Sequence, residues 1–180
     1  MGHAYRSARV NARETILSAI RRAAVPQAPP APACSSPAPS HDLLDTFLQV
    51  LATVGGQGVL RTGTQTVPEL LIDIAAALGV TNPADILVVP GQCAVAENGA
   101  VYVDAADLTA RADIIRVEHL VITVPRDGLV PTMHEAMQRI PRRSACGWFL
   151  SGPSKTADIE QALVIGAQGA RTLHVIVDVD

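Results

Sequence analysis

Aromatic side chains are scarce in this chain, with two phenylalanines, two tyrosines and one tryptophan among 180 residues. A core must therefore be built from Val, Ile, Leu and Ala, the palette of parallel strands buried on both faces. Charge is also sparse, at 17% of residues against 48% hydrophobic, with a net value of −3. That balance supplies no broad electropositive surface and argues against nucleic acid as the main partner. Cysteine is limited to Cys34, Cys93 and Cys146, far apart and never paired as C-x-x-C. They read as reduced thiols of a cytoplasmic protein, and by themselves they cannot hold a four-cysteine iron–sulfur cluster or a structural zinc. No apolar run nears the roughly 20 residues that span a bilayer, so no membrane span is expected. The opening "MGHAYRSARVNARETILSAIRRAAV" is arginine-rich but lacks the continuous apolar centre of a secretory signal; a docked amphipathic helix explains it as well as a mitochondrial presequence does.

Three enzyme motifs are missing too. The histidines lack zinc-site spacing, no Gly-x-Ser-x-Gly elbow occurs, and no Gly-x-Gly-x-x-Gly turn follows a strand. No metal site is assigned.

What is present falls into three segments: an N-terminal helix within residues 1–24, a proline- and alanine-rich linker over 25–40, and one α/β domain over 41–180. Ile16, Leu17, Ile20 and Ala24 share one face of the first helix, with Asn11 and Glu14 spaced as a capping pair. The linker "VPQAPPAPACSSPAPS" favours extended polyproline geometry, since each proline removes a backbone donor. Beyond it, Leu43, Leu44, Phe47, Leu48 and Leu51 predict a helix ending at Gly55 and Gly56. Thr66 and Glu69 have capping-box spacing before a helix closed by Gly79. Strands are expected at 58–61, 86–89, 100–103, 119–124, 147–151 and 173–178, with helices at 131–140 and 156–166. This alternation implies an α/β fold, a mostly parallel sheet with helices on its faces.

Two segments could carry chemistry. In "FLSGPSKTADIEQAL", a strand ends near Leu150 and a helix is expected from Thr156. The loop between them offers Ser151, Gly152, Ser154, Lys155 and Thr156 to an anion such as a small carboxylate. Glycine is absent where a Walker motif needs it, and Asp158 and Glu160 oppose a phosphate, so capping and ligand binding remain alternatives. In "CAVAENGAVYVD", Asn98-Gly99 is a strong hairpin signal because both residues tolerate positive φ. Glu97 then sits at the lip of the turn, as a solvated acid or as a nucleophile or general base. In "VPTMHEAMQRIP", Thr132 and Glu135 form a capping box, Met133, Met137 and Ile140 face a core, and His134 lies beside that stripe. Arg139, Arg142 and Arg143 form a basic helix end open to an acidic partner.

The segments "SGPSKTADIE", "GAQGARTLHVIV" and "AENGAVYV", with the opening "ARETILSAIRRA" and the final strand, resemble the lactate-utilisation protein C family of LUD-domain proteins. The resemblance covers nearly the whole chain except the proline linker. It implies a three-layer α/β fold similar to the ribose-phosphate isomerase, glucosamine-phosphate deaminase and CoA-transferase group. It also implies a role beside two iron–sulfur partner proteins in oxidising L-lactate to pyruvate, the clusters being on the partners and no cofactor on this chain. Glu97-Asn98-Gly99 is similar to the Ser-Glu-Asn-Gly segment of CoA-transferases, whose glutamate is the covalent nucleophile, with Ala96 in place of the serine. Where family members often carry Gly-x-His-Gly-Pro, this chain has Gly166-Ala167-Gln168-Gly169-Ala170, which removes a histidine from any mechanism. A free-standing CoA-transferase-like or sugar-phosphate enzyme using Glu97 is the rival, and a non-catalytic scaffold a third reading. The oligomeric state is left open.

Overall fold

The structure is a computed structural model describing residues 7–23, 42–140, 146–157 and 163–179. The chain divides into two units, Met1–Ser35 and Ser36–Asp180. In the first, helix α1 (Ser7–Arg22) begins one turn before Asn11, so Asn11 and Glu14 lie within the helix and not at its cap. Arg21 and Arg22 occupy its last turn, where cations suit the dipole. The linker at 25–40, with Cys34, falls outside the described residues, as do Arg142 and Arg143.

The second unit is built on a parallel sheet of β1 (Gln57–Arg61), β10 (Thr172–Asp178), β5 (His119–Val124) and β2 (Ile86–Pro90), in that spatial order. Strand pleating sorts its side chains. Val121 and Ile176 point to one face, where Leu70 and Ile74 of helix α3 (Val67–Leu78) cover them. Helix α3 starts and stops where its sequence dictates. Thr66 and Glu69 exchange the bonds of a capping box, and Gly79 ends the helix at φ +68°.

On the other face Leu120, Ile122, Val124, Leu173, Val175 and Val177 meet a second sheet. That sheet has the order β6 (Leu129–Val130), β3 (Cys93–Val95), β4 (Ala100–Asp104), β7 (Gly147–Leu150). Its β3–β4 and β4–β7 pairs are antiparallel and its β3–β6 pair is parallel. Ala94, Val101 and Val103 turn inward, joined by Leu44, Phe47 and Leu51 of helix α2 (Leu43–Thr53). Cys93, Val95 and Tyr102 turn outward beneath Ala136 of helix α5 (Met133–Arg139), with the Tyr102 and Phe149 rings 5.1 Å apart. A short helix, α4 (Asp113–Arg116), places Ile114 in the central core before β5.

The mixed α/β architecture with a parallel sheet flanked by helices is the expected one. The strands at 93–104 and 147–150, however, form a sheet of their own. The chain steps between the sheets at Gly91: its N–H donates to Thr123 of β5 at 2.7 Å, and the next N–H, of Gln92, donates to Tyr102 of β4 at 2.9 Å. A Cβ at Gly91 would stand 2.6 Å from Val101 and 2.8 Å from Ile122, so only glycine fits between the layers.

Two local expectations are corrected. Residues 155–157 and 163–165 are antiparallel strands β8 (Lys155–Ala157) and β9 (Leu163–Ile165), not a helix over 156–166; residues 158–162, with Asp158 and Glu160, lie outside the described residues. Met137, expected in the core, is 60% exposed, because α5 is a short helix that buries Ala136 against the sheet.

Candidate functional site

Strands β3 and β4 are joined by Ala96–Gly99, and the turn closes as the Asn98-Gly99 pair predicts. Gly99 has φ +66°, and Asn98 Oδ1 accepts the Ala100 N–H at 3.0 Å. A Cβ at Gly99 would lie 3.0 Å from the backbone of Leu51, so the missing side chain lets the turn press against α2. Glu97 is exposed at the lip. Its Oε1 accepts the Met133 N–H at 2.8 Å, while Thr132 Oγ1 accepts that of Glu135 at 3.3 Å. The candidate nucleophile thus shares with Thr132 the capping of α5, a place where negative charge is favoured.

The second candidate segment lies beside the first. Pairing of Val101 with Leu150 brings it there, and Ser151 Oγ donates to the Asn98 carbonyl at 2.7 Å. Gly152, at φ +82°, passes so close to α2 that a Cβ would stand 2.3 Å from the Val54 carbonyl oxygen. Lys155 Nζ donates to that same oxygen at 2.6 Å. Val54 is the C-cap of α2, so the ammonium sits at the negative end of a helix. The Ser154 N–H donates to Ala170 at 2.8 Å, and its carbonyl accepts from Gly166 at 2.9 Å. Thr156 lies in β8, with its side chain outside the described residues. The turn and the loop therefore meet at one rim, as a surface whose charged ends cap helices; the helix N-terminus expected after residue 155 is replaced by a strand.

A cleft that the sequence motifs did not mark opens elsewhere, beyond the carboxyl ends of β1, β10 and β5. It has a volume of about 770 Å³ and is lined by Arg61, Gly63, Pro125, Arg126, Asp127 and Asp178. Arg61 Nε donates to Asp178 Oδ1 across the β1–β10 pair, where the two residues are register partners. Arg126 Nη2 lies 3.9 Å from Asp42 Oδ2, whose other oxygen caps α2 through the Leu44 N–H at 3.0 Å. The signal that could have found these residues is positional: each charged side chain ends, or closely follows, a strand of the parallel sheet.

Two buried groups complete the chemistry. His174 is 4% exposed, with Nδ1 unpartnered among the described residues. Burial first, and then nearby His119, push its pKa below the usual value. Cys93 is buried, and burial pushes its thiol pKa up, which favours the protonated form. Among the described residues no group of three or more His, Cys, Asp or Glu side chains could hold a metal ion, and no helix is long and apolar enough to cross a membrane.

This geometry can be set beside known proteins. Lactate utilization protein C 1 of Bacillus mycoides is 35% identical over 103 residues, which cover 53% of this chain and 44% of that protein. Lactate utilization protein C of Shouchella clausii is 29% identical over 102 residues, with coverages of 53% and 44%. The match thus spans less than half the length of these curated relatives. A crystal structure of a DUF162-family protein from Deinococcus radiodurans shares the fold, with a TM-score of 0.54 and 20% identity over 76% of this chain and 96% of that one. The family model of the LUD domain matches residues 3–177, nearly the full sequence, and the chain belongs to the LUD-domain family.

Proposed function

We propose that this chain is an accessory component of an L-lactate utilisation system in the cytoplasm, working beside iron–sulfur partner proteins that oxidise L-lactate to pyruvate and carry the clusters. The names of the relatives and the family membership support the lactate role. The observation that carries the accessory reading is the rim formed by Glu97, Asn98, Gly99 and the 151–155 loop. Glu97 binds the Met133 amide and Lys155 binds the Val54 carbonyl, so both charged candidates hold the scaffold in shape. Fixed in this way, the rim presents a defined polar surface for an acidic partner face or a small carboxylate.

Deletion of the gene tests the role directly: growth on L-lactate is lost while growth on pyruvate continues, and the tagged chain co-purifies with iron–sulfur proteins. Unchanged growth on L-lactate overturns the proposal. The rival, an enzyme with Glu97 as nucleophile or base, gains if Glu97→Gln abolishes a measured turnover while the melting temperature holds.

A further inference from the structure

Parallel α/β sheets take ligands in the crevice beyond the carboxyl ends of their strands, where successive connections leave toward opposite faces. Such a point lies between β1 and β5. From β1 the chain runs into α3, which covers one face of the sheet; from β5 it runs through Arg126–Gly128 into β6 of the second sheet, on the other face. Strand β10 lies between the two, and its end brings Asp178 into the gap. The cleft of about 770 Å³ opens here. Small-molecule sites occupy roughly 300–1,000 Å³, so its size suits one organic ligand.

The charges in the cleft narrow the class of ligand. Arg61 and Asp178 neutralise each other in an ion pair across adjacent strands. Arg126 is held loosely: its side chain is half exposed, and Asp42 stands 3.9 Å away with its other oxygen committed to the Leu44 amide. An exposed pair at such a separation yields readily to a better-placed anion, and a guanidinium takes carboxylate or phosphate bidentately. The start of α3 is already capped, the Glu69 N–H donating to Thr66 Oγ1 and the Thr66 N–H to the Glu69 carboxylate, so it competes little for an anion. Asp127 and Asp178 share the cleft with Arg126. They repel a bare anion and accept hydrogen bonds from hydroxyls. A ligand satisfying all of these groups carries a negative end and hydroxyls.

We propose that this cleft binds a small hydroxylated organic anion, with its carboxylate or phosphate on Arg126 and its hydroxyls on Asp127 and Asp178. The site is separate from the Glu97 rim and does not depend on the lactate reading.

Isothermal titration calorimetry on the full chain tests it with D-gluconate and glycerol 3-phosphate, each beside a counterpart lacking hydroxyls, hexanoate and propyl phosphate. At least one hydroxylated probe is expected to saturate, about tenfold or more tighter than its counterpart. The probe that saturates identifies carboxylate or phosphate as the head group. Arg126→Gln is expected to weaken that binding by at least about tenfold, Arg126→Lys by less because the charge remains without the fork. Asp127→Asn is expected to narrow the preference for the hydroxylated probe. Arg111→Gln, at an exposed arginine outside the cleft, is expected to leave binding unchanged. Melting curves establish that each variant is folded. Absence of saturation by both hydroxylated probes at millimolar concentration overturns the proposal, as does saturation that Arg126→Gln does not weaken. Failure of the cleft leaves growth on lactate and partner recovery as the tests of the accessory role, so the two readings fail separately.

Discussion

Replacing Gly152 by alanine should damage this protein far more than one methyl group suggests. Alanine must hold φ near +82°, a left-handed conformation that costs an L-residue roughly 1–2 kcal/mol. Its Cβ would also lie 2.3 Å from the Val54 carbonyl oxygen. That is about 1 Å inside the roughly 3.3 Å at which carbon and oxygen meet, so the loop must lift away from α2. Lifting it threatens the Lys155 bond to the same carbonyl, worth roughly 0.5–1.5 kcal/mol net. Together these terms give about 2–4 kcal/mol, or roughly 5–15 °C in melting temperature for a domain of this size. Gly63→Ala is the control. Gly63 has φ +58° with nothing within 4 Å of an added Cβ, so it carries the conformational cost of about 1–2 kcal/mol alone, or roughly 2–8 °C. Thermal unfolding followed by circular dichroism measures both. Equal losses in the two variants would refute the close packing of the 151–155 loop on α2.

Glu97→Ala should remove the acceptor for the Met133 amide and cost about 1 kcal/mol, a fall of roughly 2–4 °C in the same assay; no change would show that the carboxylate does not cap α5. Lys155→Met should lower stability by a similar amount, adding to the Glu97→Ala loss because the two act on different helices; strong non-additivity would contradict separate roles. His174 should make the protein acid-sensitive. Its pKa is lowered in the fold from a reference of 6.5, so above that pH its contribution to stability is fully present. As pH falls through 6.5 the unfolded chain takes up the proton first, and stability declines by up to about 1.4 kcal/mol per pH unit until the folded-state pKa is reached. Urea titrations of wild type and His174→Leu across this range should differ in slope; parallel curves would show that His174 is not held neutral.

The features legible in the sequence were those decided by a few neighbouring residues. Thr66 and Glu69 cap α3 because both halves of a capping box lie within one turn, and Asn98-Gly99 turns because Gly99 accepts positive φ. The segment after Lys155 misled for the same reason. "KTADIEQAL" has local helical spacing, but Ser154 is tied through its own backbone to Ala170 and Gly166, and these distant partners draw Lys155–Ala157 into pairing with Leu163–Ile165. The division into two sheets was hidden because all five residues of β4 are buried, so no alternation marks which layer each faces. The Glu97 turn and the 151–155 loop are neighbours through the antiparallel pairing of Val101 with Leu150, which no local pattern encodes. The cleft at Arg61 and Arg126 escaped notice since its charges are scattered in sequence, at or just beyond the ends of three separate strands.

The crossing at Gly91 and Gln92 couples the two sheets mechanically. Two consecutive peptide groups are anchored in different layers, and the glycine leaves no slack between them. Peeling either layer away would tear a ladder bond in the other and open the apolar seam they share, so neither has an independent route to partial melting. The pair of sheets is therefore expected to unfold as one cooperative block.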